Sequence, residues 1–579
     1  MTLLIKNLLT ANIIITFCVK NVKGDLDLLI FHTGCVHARY DEVLDPKAKK
    51  YYGGIDRVAY LVKTAREKHK SGKGPAVLYF EPGDFFIGSI WYSVHSYHGV
   101  AKVLNELQPD AMNIGASELN AKIEVLKNFS KLVNFPIVST NMIFQDKDEL
   151  KKKIKPSIIK IIDGVKVGIV GYILPELTLW GEIGDIEVIE IIPALSKECY
   201  RLRFEEDVKV IIALSHAGFE TDRIIAYAVD YIDVIVGSGS GTFLWNGVPP
   251  DKEIPDDSYP AKVTRRDGSM VLILHAYEYI KYIGKINLQY TKNGKIKGFF
   301  GSPILLDSKI SQDSKMTELI EELRADVTIS DEKILSTSGV LLDGTSCYYE
   351  ECNFGNMIAD AIVEYRATQY QGRGWTDAAV VLVNCRSITA NINSRANDKK
   401  IYYGDVLRAL PFANLLYLVE IKGSDLVFIL EISTTGLNRE SATEFLYTAG
   451  LKVMFDFDVR FGKRVKLIKV RCAECDVPEY FPLEPDKRYK VILNNYLLRG
   501  GGGYTIIRDV VWNPIPIGKS DTDATIQYLE KITFVVPEVG GRLIPYDKRF
   551  VKKKTISFGS RFNFDCYCFL LMLMNFVTS

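Results

Sequence analysis

The sequence predicts a layered α/β fold divided into two domains. Three observations predict it. The chain has 579 residues, too many for one hydrophobic core and enough for two. Its first half alternates short, continuous apolar runs with stretches of helical periodicity, the pattern of buried strands joined by helices. A second block of the same kind begins near Ser336, after an amphipathic stretch.

The elements follow in chain order. Residues 1–24 read as a signal peptide: Lys6 is its positive n-region, residues 8–19 are apolar but too short to span a bilayer, and Val22 and Gly24 are small enough for a cleavage site before Asp25, with a cut after Cys18 as the alternative. Residues 26–31 (LDLLIF) form the first predicted strand. Residues 77–80, 111–114, 137–140, 165–172, 208–214 and 232–236 repeat its apolar pattern. Between them, residues 55–69 place Val58, Leu61, Val62 and Ala65 on one helical face, and residues 100–107, 196–204 and 222–229 also fit helices. The first domain is expected over 25–310, a linker helix over 311–335, a second α/β domain over 336–547 and a basic, then apolar, tail over 548–579. That tail holds Lys552, Lys553 and Lys554, which read as a solvated run, and a final apolar stretch too short for a membrane helix. A degenerate lipid-anchor signal is the other reading of the tail, but the spacer after Ser557, Gly559 and Ser560 is short, so a membrane anchor is not the expected outcome.

Composition excludes some classes of function. The chain is 47% hydrophobic and 25% charged with a formal net charge of +1, which gives no footprint for nucleic acid. Among the ten cysteines, Cys347 and Cys352 form a C-x4-C pair and Cys472 and Cys475 a C-x2-C pair. In a secreted chain two local disulfides are the simpler reading; in a cytosolic one both would be tested as zinc ligands. Asn128-Phe129-Ser130 is a glycosylation sequon.

Several collinear blocks carry a more specific signal. They are His32-Thr33-Gly34-Cys35-Val36-His37-Ala38-Arg39, Gly83-Asp84-Phe85-Phe86-Ile87-Gly88-Ser89, residues 110–120, Leu214-Ser215-His216-Ala217-Gly218 and residues 234–243 (VIVGSGSGTF). In the second domain they are residues 351–360 (ECNFGNMIAD), 403–414 (YGDVLRALPFAN) and 500–504. Together they resemble the metal-dependent 5′-nucleotidases, insect apyrases in particular, over nearly the whole mature chain. The resemblance implies an N-terminal metallophosphoesterase-like α/β domain and a C-terminal 5′-nucleotidase-type substrate domain.

It also implies which residues should carry the chemistry. The family blocks read H-T-N-D-x-H-x-R, G-D-x-F-Q-G-T, D-A-M-x-x-G-N-H-E-F-D, L-S-H-x-G and V-I-V-G-G-H-S-H-T-F, and their Asp, Asn and His side chains hold two cations that clamp a phosphate and activate water. This chain keeps His37, Asp84 and His216. Cys35 replaces the first Asp, Ala116 the Asn, and Gly239 and Gly241 the two late His. Ala116, Ser117 and Asn120 occupy the positions of the catalytic Asn-His unit and its neighbouring Asp, so no catalytic residue is assigned. The expectation is therefore no resident cofactor, with a rewired single-zinc site of Cys35, His37, Asp84 and His216 as the alternative. In the second domain, Phe445 and Tyr504 stand where the family stacks a base and Asn384 where it meets the nucleotide, remnants that imply at most weak nucleotide or nucleoside binding.

Insect members of the family are salivary proteins that destroy ADP and suppress platelet aggregation. The resemblance thus implies an extracellular protein of saliva whose impaired site leaves binding as its mode of action, toward a host platelet receptor, a soluble agonist or a plasma protein. A residual nucleotide hydrolase is the alternative.

Overall fold

The computed structural model describes residues 26–45, 49–145, 149–180, 184, 186–437 and 445–545. The expected signal peptide and the tail from residue 548 lie outside the described residues. The chain divides into two compact units, one running to Thr337 and including residues 400–413, the other formed by residues 338–399 and the chain from Asn414. Two boundaries differ from expectation. The helix Ser314–Asp331, expected as a linker, is part of the first unit: Met316, Ile320, Leu323 and Val327 are buried in that unit's core. Residues 400–413, expected within the second domain, also belong to the first unit, where Arg408 pairs with Asp331 at 2.6 Å.

Two large sheets form the centre of the first unit. In one, the order is Ile296–Gly301, Tyr282–Tyr290, Leu26–His32, Ala76–Glu81, Ala111–Asn113, Ile137–Val138 and Ile154–Lys155. From Leu26–His32 to Ile154–Lys155 its strands are parallel; Tyr282–Tyr290 joins antiparallel. The other runs Ala261–Thr264, Met270–Leu274, Val234–Ser238, Val210–His216, Val165–Ile173 and Ser157–Ile162. The period of two in the first strand assigns its faces. Leu26, Leu28 and Ile30 enter the core shared with the second sheet, where Ile169, Ile212 and Ile235 meet them. Leu29 and Phe31 enter the opposite core beneath the helices Ile55–Lys70 and Ile90–Leu107. The expected strands are all present, with ends shifted by a few residues. The helix expected at 100–107 is preceded by a further helical stretch from Ile90, and the two meet at a kink at Ser96 (φ 50°, ψ −151°). The helix expected at 196–204 begins at Ile191 and ends in a π-turn, Arg201–Glu205.

Glu81 closes its strand inside this core. It is fully buried and accepts hydrogen bonds from the Thr33 and Tyr79 hydroxyls. Burial pushes its carboxyl up to about 8, the Glu118 charge adds to the rise, and the two hydroxyls oppose it. A folded-state pKa above the unfolded value means that the folded chain holds the proton more tightly. Its contribution to stability is therefore complete below the unfolded value and is lost as pH rises toward 8. Glu81→Gln should flatten the fall in melting temperature between pH 5 and 8; a variant with the wild-type slope would remove Glu81 as its source.

The second unit centres on the sheet Leu446–Ala449, Val380–Asn384, Arg488–Asn494, Leu415–Lys422 and Trp512–Ser520. Both expected disulfides, Cys347–Cys352 and Cys472–Cys475, are formed, while Cys35, Cys199 and Cys385 are buried thiols. Asn128 is exposed on the helix Ile123–Leu132, with Ser130 turned inward.

Candidate metal centre

The candidate residues of the first unit converge because each follows a strand. Cys35 and His37 lie on the loop after Leu26–His32, and Asp84 on the loop after Ala76–Glu81. Ser117 and Glu118 belong to the short helix Ala116–Asn120 after Ala111–Asn113, and His216 and Ser238 end their own strands. These are the carboxyl ends of parallel strands, where open α/β sheets place their ligands. The first two loops are knitted by backbone: the Val36 and His37 N–H groups both donate to the Asp84 carbonyl, at 3.0 and 2.8 Å. Gly115 permits the third loop to close in, since a Cβ there would lie 2.3 Å from the Asp84 nitrogen.

Asp84 is the hub. Its Oδ1 accepts the Ser117 N–H at 2.6 Å, and its Oδ2 lies 3.1 Å from His216 Nε2 and 3.8 Å from His37 Nε2. Burial alone would raise its pKa, but the His216 and His37 rings and the Ser117 N–H hold it well below the usual carboxylate range. His216 is the reciprocal case: burial would lower its pKa, and the Asp84 carboxylate overrides this and raises it. The ring nitrogens explain the coupling. Each histidine has Nδ1 against a backbone carbonyl, Ile87 for His37 at 2.7 Å and Pro82 for His216 at 3.1 Å. A carbonyl only accepts, so Nδ1 carries the hydrogen and Nε2 is left with a lone pair directed at Asp84. A proton or a cation must occupy the space between His216 Nε2 and Asp84.

The donors present fit one cation. One ligand atom each from Cys35, His37 and Asp84 lies within 4.8 Å of the others. Cys35 is buried and its Sγ is 3.1 Å from the Ser238 hydroxyl; burial, followed by the Asp84 charge, pushes its thiol pKa far up, so a cation must displace the thiol proton to bind there. A second cation does not fit. Asp84 and His216 remain for it, while Ala116, Gly239 and Gly241 carry no donor atom. Ser117 is buried and its hydroxyl accepts the Phe86 N–H at 3.2 Å; Asn120 is half-buried.

Glu118 was not singled out from the sequence. Its fully buried carboxylate accepts from the backbone N–H groups of Asp84 (2.9 Å), Phe85 (2.8 Å), Phe86 (3.1 Å) and Gly115 (2.8 Å). A signal for it existed: Glu118 keeps the Glu of the third family block while Ala116 and Ser117 beside it do not keep the Asn and His.

The second-unit remnants are placed differently. Phe445 and Tyr504 are both 0% exposed in that unit's core, so neither offers a face on which a base could stack in this conformation. The Asn384 side-chain oxygen is engaged by the Ser387 hydroxyl at 2.8 Å and the Asn494 amide at 2.9 Å.

Comparison with known proteins gives these features a family. Residues 333–509 match the 5′-nucleotidase, C-terminal domain. The chain is 35% identical to Protein 5NUC of Lutzomyia longipalpis over 537 residues, 90% of this chain and 93% of that one. The chain belongs to the 5′-nucleotidase family. An apyrase of Tabanus yao is 32% identical over 87% of this chain and 91% of its own length. Among solved structures, a 5′-nucleotidase precursor from Thermus thermophilus superposes with a TM-score of 0.68 at 25% identity, covering 90% of this chain and all of that one. The expected architecture, a metallophosphoesterase-like unit followed by a 5′-nucleotidase C-terminal domain, is thus borne out. The family is metal-dependent, and among the described residues Cys35, His37 and Asp84 are the group that could hold an ion. No helix of the described residues is long and apolar enough to cross a membrane.

Proposed function

We propose that this protein is a secreted member of the 5′-nucleotidase family that has lost two-metal phosphohydrolysis and acts by binding. The observation that carries the reading is the absence of donor atoms at Ala116, Gly239 and Gly241, around an Asp84 that would have to be shared between two cations. Ser117 adds to it, because loss of a single preorganised donor costs about 10²–10³ in rate. The resemblance to insect apyrases, with an apyrase of Tabanus yao among the relatives, supports a setting in saliva, where the protein opposes host haemostasis through a platelet receptor, a soluble agonist or a plasma protein. Residual hydrolysis at one cation is the second reading, favoured by the cluster of Cys35, His37 and Asp84.

Phosphate release from ATP, ADP and AMP, with zinc, calcium, magnesium and manganese each supplied, separates the two. No condition should exceed buffer; metal-dependent release would establish the second reading. Platelet aggregation should be inhibited while the ADP concentration stays constant, and failure to inhibit at any protein concentration would remove the haemostatic role.

A further inference from the structure

The loop of residues 277–280 is held against the metal cluster at a conformational cost. Tyr277, Tyr279 and Ile280 all have positive φ (65°, 57° and 47°), a region that non-glycine residues avoid and β-branched ones avoid most. Two contacts hold it there. The Tyr279 N–H donates to the Cys35 carbonyl at 2.7 Å as part of the isolated β-bridge between Glu278 and Cys35, and the Arg39 guanidinium lies 4.1 Å from the centre of the Tyr279 ring. Gly34 makes the approach possible: a Cβ at that position would stand 1.9 Å from the Tyr277 carbonyl oxygen, and the family block has Asn there. The loop therefore pairs the Glu278 backbone with that of Cys35 and leaves the Glu278 carboxylate beside Gly241, at the edge of the Cys35, His37 and Asp84 cluster. A Cβ built on Gly241 would lie 3.3 Å from Glu278 Oε2.

The geometry points to a mononuclear thiolate site for a zinc-class cation, with Cys35, His37 and Asp84 as ligands and Glu278 as the carboxylate that takes the place left by Gly241. Sulfur, imidazole and carboxylate donors are the set that zinc accepts, and four of them make a closed tetrahedral site. The Ser238 hydroxyl orients the Cys35 sulfur, and the Ile87 carbonyl fixes the His37 ring with Nε2 inward. On binding, the Cys35 sulfur exchanges its proton for the cation and the proton passes to solvent. The half-buried Glu278 side chain closes onto the ion from the Gly241 side. Such a closed site ties the 277–280 loop to the first block and needs no catalytic role, so it stands or falls separately from phosphate release.

Cobalt(II) is the probe, added to the metal-stripped full chain. One equivalent should bind and give a sulfur-to-cobalt charge-transfer band that zinc abolishes by displacement. Cys35→Ser should lose the band, whereas Cys199→Ser, a buried thiol outside the cluster, should keep it. Glu278→Gln should keep the band but weaken affinity by about tenfold or more. Should Cys35→Ser fail to fold, X-ray absorption at the zinc edge of the zinc-loaded wild-type chain, with one sulfur expected at about 2.3 Å, gives the same information. The absence of a band, a band that survives Cys35→Ser, a zinc edge without a sulfur neighbour, two bound equivalents, or unchanged affinity in Glu278→Gln would each overturn the four-ligand site.

Discussion

Replacing Glu118 with Ala should destabilise the first unit by about 4 kcal/mol or more and loosen the Asp84 loop before anything else. The carboxylate is the acceptor for four backbone N–H groups, those of Asp84, Phe85, Phe86 and Gly115, in a place that water does not reach. A hydrogen bond to a charged group is worth about 1.5–3 kcal/mol, and a buried donor left unpaired costs about 1–3 kcal/mol. Relaxation recovers part of the sum, which is why the expectation is well below four full bonds. Glu118→Gln keeps one acceptor oxygen but turns an NH2 toward the remaining donors, so it should fall between wild type and Ala. Two units need not unfold together, so a single melting temperature is a blunt readout. Amide hydrogen exchange over residues 84–86 resolves the loop directly: protection should drop sharply in Glu118→Ala. A loss of stability under about 1 kcal/mol with protection unchanged would show that other groups position Asp84.

The sequence exposed the parts of this structure that leave a local signature. Strands buried on both faces read as near-continuous apolar runs, so residues 26–31 and 165–172, broken only by Asp27 and Lys166, locate the strands Leu26–His32 and Val165–Ile173 almost to the residue. Cys35, His37, Asp84 and His216 were legible because donor type and block spacing are written in the chain, and the structure brings all four together at the carboxyl ends of strands from the two large sheets. Features that depend on tertiary approach were not legible. Residues 400–413 look like any part of the second domain, and their packing into the first unit is a property of the fold alone. Phe445 and Tyr504 show why identity is insufficient: an aromatic ring that stacks a base and one that fills a core are the same letter, and here both rings fill the core. Glu278 has no periodic or motif signal, because its position arises from Gly34 and Gly241 making room for it from two other loops.

Asp84 should separate charge from geometry, and its two variants should differ widely. Asp84→Ala removes the carboxylate that His216 faces at 3.1 Å and the acceptor of the Ser117 N–H. Breaking a buried ion pair from one side costs about 3–5 kcal/mol because the surviving charge has no partner. Ala also fits poorly at the Asp84 backbone angle, φ 60°, which Asp and Asn tolerate better than other non-glycine residues. Asp84→Asn avoids most of this. Its amide oxygen can still accept from Ser117, and its NH2 can donate to the lone pair of a neutral His216, whose other nitrogen already donates to the Pro82 carbonyl. The Asn variant should therefore lose less than half of the stability that Ala loses. Both should lose cobalt affinity by well over tenfold, because an amide is a poor ligand and Ala is none. Thermal unfolding and cobalt titration of the same two proteins decide the matter. If Asn proves as unstable as Ala, the negative charge on Asp84 holds His216 in place and the hydrogen bonds do not. If Asn is stable yet binds no cobalt, the fold needs only the hydrogen-bond pattern, and the charge at Asp84 serves the cation.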